Sequence, residues 1–162
     1  MPRQSYRPTN EELHKGLDNL HYEIQQLLEL TRVASPIALL QNALVESRLL
    51  HVRTLVDFFE FEESRHDDIL ATHYGFALKP VQLSEPYKTR LNKDLAHLTY
   101  SRTQRTEATK TWPFDLVIAP VLERCLEFVE HVLSDRMVFS VIGPTHWRDL
   151  ALRIRDLLAS RP

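Results

Sequence analysis

The sequence of 162 residues holds a single cysteine, Cys125, so an internal disulfide framework and a Cys-rich zinc site are both excluded, and a reducing cytoplasm is the expected compartment. Glycine is nearly as scarce. The three glycines, Gly16, Gly75 and Gly143, stand far apart, which excludes the glycine-rich phosphate loops of Walker-type and Rossmann-type nucleotide sites. No apolar run approaches the roughly 18 residues that a membrane span requires. The N-terminal MPRQSYRPTNEE also lacks the apolar stretch of a signal peptide. The expectation is a chain with no membrane segment. Net charge is −2, from 20 basic and 22 acidic residues, which provides no global field to hold a polyanion.

Hydrophobic residues make up 43% of the chain and charged residues 26%, so a sizeable core can be buried, and the length suits one domain spanning residues 1–162. Charge is unevenly distributed along it. Residues 57–68 carry six acids and one arginine, whereas residues 88–110 carry six bases and two acids. That polarity fits an anionic ligand near the second segment or two segments that pack together.

Helical periodicity dominates the pattern. Thr9-Asn10-Glu11-Glu12 supplies a cap followed by acids that favour the positive end of a helix dipole, and Leu13, Leu17, Leu20, Ile24 and Leu27 follow in one stripe. Pro36 suits the first turn of a second helix, whose core stripe is Val45, Leu49, Val52, Val56 and Phe59. Residues 62–83 read as a short helix or turn plus a loop. Ser84-Glu85-Pro86 then opens a helix of about four turns bearing Tyr87, Leu91, Leu95 and Leu98. A second loop covers 101–111. The following helix, from Phe114 to Val132, is apolar around much of its circumference and should lie deepest, and Trp147, Leu150, Ala151, Ile154 and Leu158 share one side of a last helix beyond Gly143-Pro144. The expected fold class is all-α: an antiparallel four-helix up-and-down bundle, core about residues 9–133, with an additional C-terminal helix at about 144–159.

The segment Arg90-Leu91-Asn92-Lys93-Asp94-Leu95-Ala96-His97 holds the most suggestive chemistry. Seven residues on a helix return Arg90 and His97 to within about 20° of each other, so both can reach one ligand. Asp94 and Ser101 fall on the same polar strip, with Arg102 beside it. Arginine offers a planar fork for phosphate, and histidine exchanges a proton near neutral pH. Together they suit cleavage of single-stranded RNA without a metal: the ribose 2′-hydroxyl is deprotonated and attacks the adjacent phosphorus, while the arginine stabilises charge on the non-bridging oxygens. A plainer reading makes Arg90 and Asp94 a solvated i,i+4 ion pair and His97 a packing residue.

Arg-x6-His within LNKDLAHLTYSR, preceded by NALVESRLLHVRTLVDFFEF, resembles the HEPN superfamily, especially its abortive-infection-type members, over roughly residues 37–133. The resemblance implies a four-helix up-and-down bundle. It also implies a metal-independent endoribonuclease of defence or toxin type, a homodimer whose motifs meet in a composite site, Arg90 and His97 as the catalytic pair, and an antitoxin protein as partner. Leu91 stands where the family usually has a polar residue, with Asn92 one position later, so Asn92-x4-His97 is a second frame for the motif. Other HEPN-like bundles are noncatalytic and bind nucleotide, RNA or a protein partner, which is the alternative function.

Glu46, Arg53 and Asp57 line up beside the apolar stripe of the second helix. Arg53 and Asp57 can pair with each other; alternatively Glu46 or Asp57 orients His97 while Arg53 adds a phosphate contact. No metal or other cofactor is expected: Glu127-x3-His131 and Glu63-x2-His66 are the nearest approaches to the Glu-x-x-His pairs of di-iron bundles, and neither repeats. Cys125 reads as a small core residue, and Trp112 and Trp147 as packing residues or interface anchors.

Overall fold

The computed structural model describes residues 6–62, 67–93, 95, 100, 105–106, 110–136 and 140–160. Five helices account for most of them: α1 (Asn10–Arg32), α2 (Ala38–Glu60), α3 (Glu85–Lys93), α4 (Ala119–His131) and α5 (Pro144–Ala159). No strand occurs among the described residues, and the class is all-α.

α1 begins where the capping sequence places it. The Thr9 hydroxyl accepts from the Glu12 backbone N–H at 3.3 Å, while the Glu12 carboxylate accepts from the Thr9 N–H at 2.7 Å, so two otherwise orphaned donors are satisfied reciprocally. Hydrogen bonds from the Tyr6 hydroxyl and from Thr9 hold the Glu12 carboxyl down at about 2. At the other end of α1, Arg48 of α2 donates to the Leu30 carbonyl at 2.6 Å, satisfying one acceptor that a helix C-terminus leaves open. That bond and the His51–Glu23 contact at 2.6 Å fix α1 and α2 as an antiparallel hairpin. Leu17, Leu20, Ile24, Leu27 and Leu28 face inward from α1, each worth about 1.5–3 kcal/mol of burial.

α4 is the deepest helix, with Val121, Leu122, Cys125, Phe128 and Val129 all buried. A wide turn over Phe114–Ile118 leads into it, closed by the Ala119 N–H bonding back five residues to the Phe114 carbonyl. Pro120 explains that widening, because it has no N–H to donate to the carbonyl of Leu116. α5 packs against α1 through the His21 ring, set edge-on to Trp147 at 5.1 Å, and through an Arg153–Glu29 ion pair. Both contacts advance together along the two helices, so α1 and α5 run parallel. The Trp147 indole donates to Ser140 at 2.6 Å, which gives a fully buried polar atom its partner.

Among its described residues, the connection from α2 to α3 is irregular apart from one tight turn at Ala71–Tyr74, yet residues 74–81 are tied to the helices at several points. Tyr74 donates to the Leu13 carbonyl at 3.0 Å, and its own carbonyl meets the His131 ring at 2.9 Å. The buried Arg124 guanidinium bonds the Ala77 carbonyl and Glu127 and lies 4.1 Å from the Phe76 ring. Glu60 takes the Val81 N–H at 3.0 Å and the Lys88 ammonium at 2.5 Å. Beneath this strap, Phe58, Phe76 and Tyr74 meet Phe128 edge to face at 5.1 to 5.9 Å, a geometry that aromatic quadrupoles favour.

Of the expected core stripes, those of α1, α2, α4 and α5 are buried, with Leu13, Val45, Phe114 and Leu158 at their margins. α3 is shorter than expected: it ends at Lys93, with Tyr87 and Leu95 partly buried and Leu91 buried, and Leu98 lies outside the described residues. The C-terminal helix is integral to the core rather than an appendage, since Trp147, Leu150, Ala151 and Ile154 are all enclosed.

Candidate functional site

Arg90 lies on the inner side of α3 and is only 6% exposed. Its guanidinium donates to the carbonyls of Thr111 at 3.0 Å and Lys110 at 3.1 Å, and its carbon centre sits 3.9 Å from the Trp112 ring and 5.4 Å from the Tyr87 ring. A charge taken out of water needs such compensation, and two carbonyl acceptors plus an indole face provide it. The expectation of Arg90 on an open polar strip is therefore corrected: the guanidinium points inward and ties residues 110–112 to α3. Asn92 is exposed on the same helix. His97, Asp94, Ser101 and Arg102 lie outside the described residues.

On α2, Arg53 and Asp57 pair at 4.0 Å, each about one-third exposed, as their i,i+4 spacing suggested. Glu46 is exposed nearly two turns before Arg53, so these three do not converge on one point. Asp57 instead turns toward a cleft of about 610 Å³ between α1, α2 and residues 67–70. Leu20, Phe58 and Leu70 contribute its apolar wall, and Glu23, Asp57, Asp67 and Asp68 bring carboxylates to it. Past Gly16 and Asn19 the cleft continues into a second lobe of about 210 Å³, where Glu12, Lys15 and His73 join. Burial lowers the proton affinity of the His73 ring, whose Nδ1 accepts the Leu70 N–H at 3.4 Å, so that ring is held neutral. The concavity is acid-lined with an apolar wall. It suits a cationic group carried on an apolar stem and repels phosphate.

The Glu23–His51 pair, with side chains 25% and 16% exposed, borders this region and went unnoticed in the sequence. Its only signal was topological: folding the first helix back on the second about the turn at 33–37 brings the two positions together to within about one helical turn. Glu127 and His131 are engaged elsewhere, the former with Arg124 and Lys79 and the latter with the Tyr74 carbonyl. Glu63 and His66 lie outside the described residues, among which no cluster of three or more His, Cys, Asp or Glu side chains is placed to hold a metal. Cys125 is fully enclosed, and burial pushes its thiol up, away from the reactive thiolate. No helix among the described residues is long and apolar enough to cross a membrane. No family model, curated protein or solved structure matches the chain.

Proposed function

We propose that this chain is a noncatalytic, HEPN-like helical bundle of the cytoplasm, and that it takes a basic, amphipathic segment of a protein partner into the acid-lined cleft. The observation that carries this reading is the sign of the groups around that cleft: Glu23, Asp57, Asp67 and Asp68 stand at its wall beside Leu20, Phe58 and Leu70. Carboxylates so arranged attract lysine or arginine and disfavour a nucleic-acid backbone. Arg90 adds support, because a guanidinium bonded to two carbonyls and stacked on an indole has no free fork for phosphate. An antitoxin-like protein presenting a basic helix is a partner of the right chemistry.

The test pairs two measurements on the purified chain. Incubated with single-stranded RNA in EDTA, it should leave no 2′,3′-cyclic phosphate ends. A labelled amphipathic peptide rich in arginine and leucine should bind, weaken with added salt, and lose about tenfold in affinity when Asp67 and Asp68 are both changed to Asn. Metal-independent cleavage that disappears in His97→Ala would replace this reading with the ribonuclease one, with His97 as acid or base.

A further inference from the structure

No side chain in the first half of α2 is fully buried, and Val45 reaches only the margin of the core. Buried residues on this helix begin at Leu49, whereas Leu39 is 77% exposed, Ile37 57% and Leu40 50%, with Val33 at 47% in the preceding turn and Leu50 at 54% further along. From Val33 to Val45 there is no charged residue at all. Together with Ala34, Pro36, Ala38 and Ala43, also exposed, these side chains present on the order of 600 Å² of apolar surface. That is at the top of what single-chain proteins leave in water and most of the roughly 800 Å² that one partner buries in a standard interface.

We propose that this face of α2 is where a second copy of the chain docks, antiparallel and about a twofold axis. The spacing of the outward-facing residues supports that occupant. Leu39, Ala43, Glu46 and Leu50 follow at steps of four, three and four, which places them on one face of the helix and makes the pattern symmetric about its own midpoint. A twofold through that midpoint sets Leu39 of each copy against Leu50 of the other, and Ala43 against Glu46. The small methyl leaves room for the glutamate stem, whose carboxylate reaches water at the rim. A surface that complements itself is what a closed, isologous dimer needs; the two Glu46 are the charges nearest the axis, and their mutual repulsion is the one unfavourable contact of this arrangement. The inference does not depend on what the acid-lined cleft binds.

Sedimentation velocity of the full chain over a range of concentrations should reveal a monomer–dimer equilibrium. Leu39→Asp, at an exposed position that leaves the fold intact by circular dichroism, should raise the dissociation constant about 100-fold, since it acts twice per dimer. Glu46→Leu should shift the equilibrium the other way. A chain carrying both Leu39→Cys and Leu50→Cys should form an intermolecular disulfide, and either single variant should not: position 39 lies about 16 Å along the helix axis from its own counterpart, beyond the roughly 7 Å that a disulfide spans. A chain that stays monomeric throughout, a dimer indifferent to Leu39→Asp, or a monomer that sediments with lipid vesicles through this face would each overturn the proposal.

Discussion

Removing the Arg90 side chain tests whether its guanidinium is a structural tie. In Arg90→Ala the carbonyls of Lys110 and Thr111 lose their donors, and the Trp112 ring loses the cation lying on it. Lys110 and Thr111 are exposed residues, so water takes over part of what their carbonyls lose, and the bonds from the charged guanidinium contribute about 1.5–3 kcal/mol. A desolvated cation–π contact contributes about 2 kcal/mol. Against these losses stands the relief of no longer burying a charge, itself several kcal/mol. The balance leaves a net destabilisation of about 3 kcal/mol, and in a chain of this size that lowers the melting temperature by about 6–12 °C. Arg90→Lys should fall between, since an ammonium cannot reach both carbonyls with a planar fork. Urea denaturation followed by far-UV circular dichroism gives the values. A phosphate clamp on an open strip would behave otherwise, and stability of Arg90→Ala within about 0.5 kcal/mol of the parent would refute the reasoning.

Other consequences are as concrete. A Cβ at Gly16 would collide with the Tyr74 hydroxyl, so Gly16→Ala should destabilise by about 1–2 kcal/mol despite alanine's better helix propensity; combined with Tyr74→Phe the cost should be less than the two singles added, and strict additivity would refute the contact. His21 and His73 have proton affinities lowered by burial, which for His21 outweighs the opposing hydrogen bond to the His146 backbone. The unfolded chain therefore takes up their protons first, and stability that is full above about pH 6.5 should decline as pH falls below it. Urea midpoints between pH 7.5 and 5.5 measure this decline, and His21→Gln should flatten it; an unchanged slope would remove His21 from the account. Cys125, enclosed on α4, should react with a thiol reagent only as fast as the chain opens, and rapid labelling of the native protein would contradict its burial.

Much of the helical framework was legible because its determinants are local. The Thr9–Glu12 cap, the α1 stripe and the apolar circumference of α4 each follow from periodicity and from the residues at one helix end. The Arg53–Asp57 pair was legible for the same reason. What escaped depends on contacts between segments distant in sequence. Arg90 looked like a surface residue on a polar strip until residues 110–112 folded over it, and nothing within α3 announces that cover. The acids of 57–68 stood out as a run, but their meeting with Glu23 at one cleft needed the α1–α2 hairpin. Leu39, Leu40 and Ala43 fit the helical pattern of α2 as well as its core residues do, and periodicity cannot tell an apolar face turned inward from one turned to water.

Residues 67–84, which lead into α3, have little regular structure, yet the anchors of this strap join residues 74 to 13, 74 to 131, 77 to 124 and 60 to 81. Every one but the last closes a loop of more than forty residues, so the strap has nothing to hold until α1 and α4 have come together. It should dock late in folding. By the same logic, a protease aimed at Ala71–Val81 finds a substrate only in molecules that have already lost their helical assembly, so that cleavage there counts globally opened chains rather than loose loops.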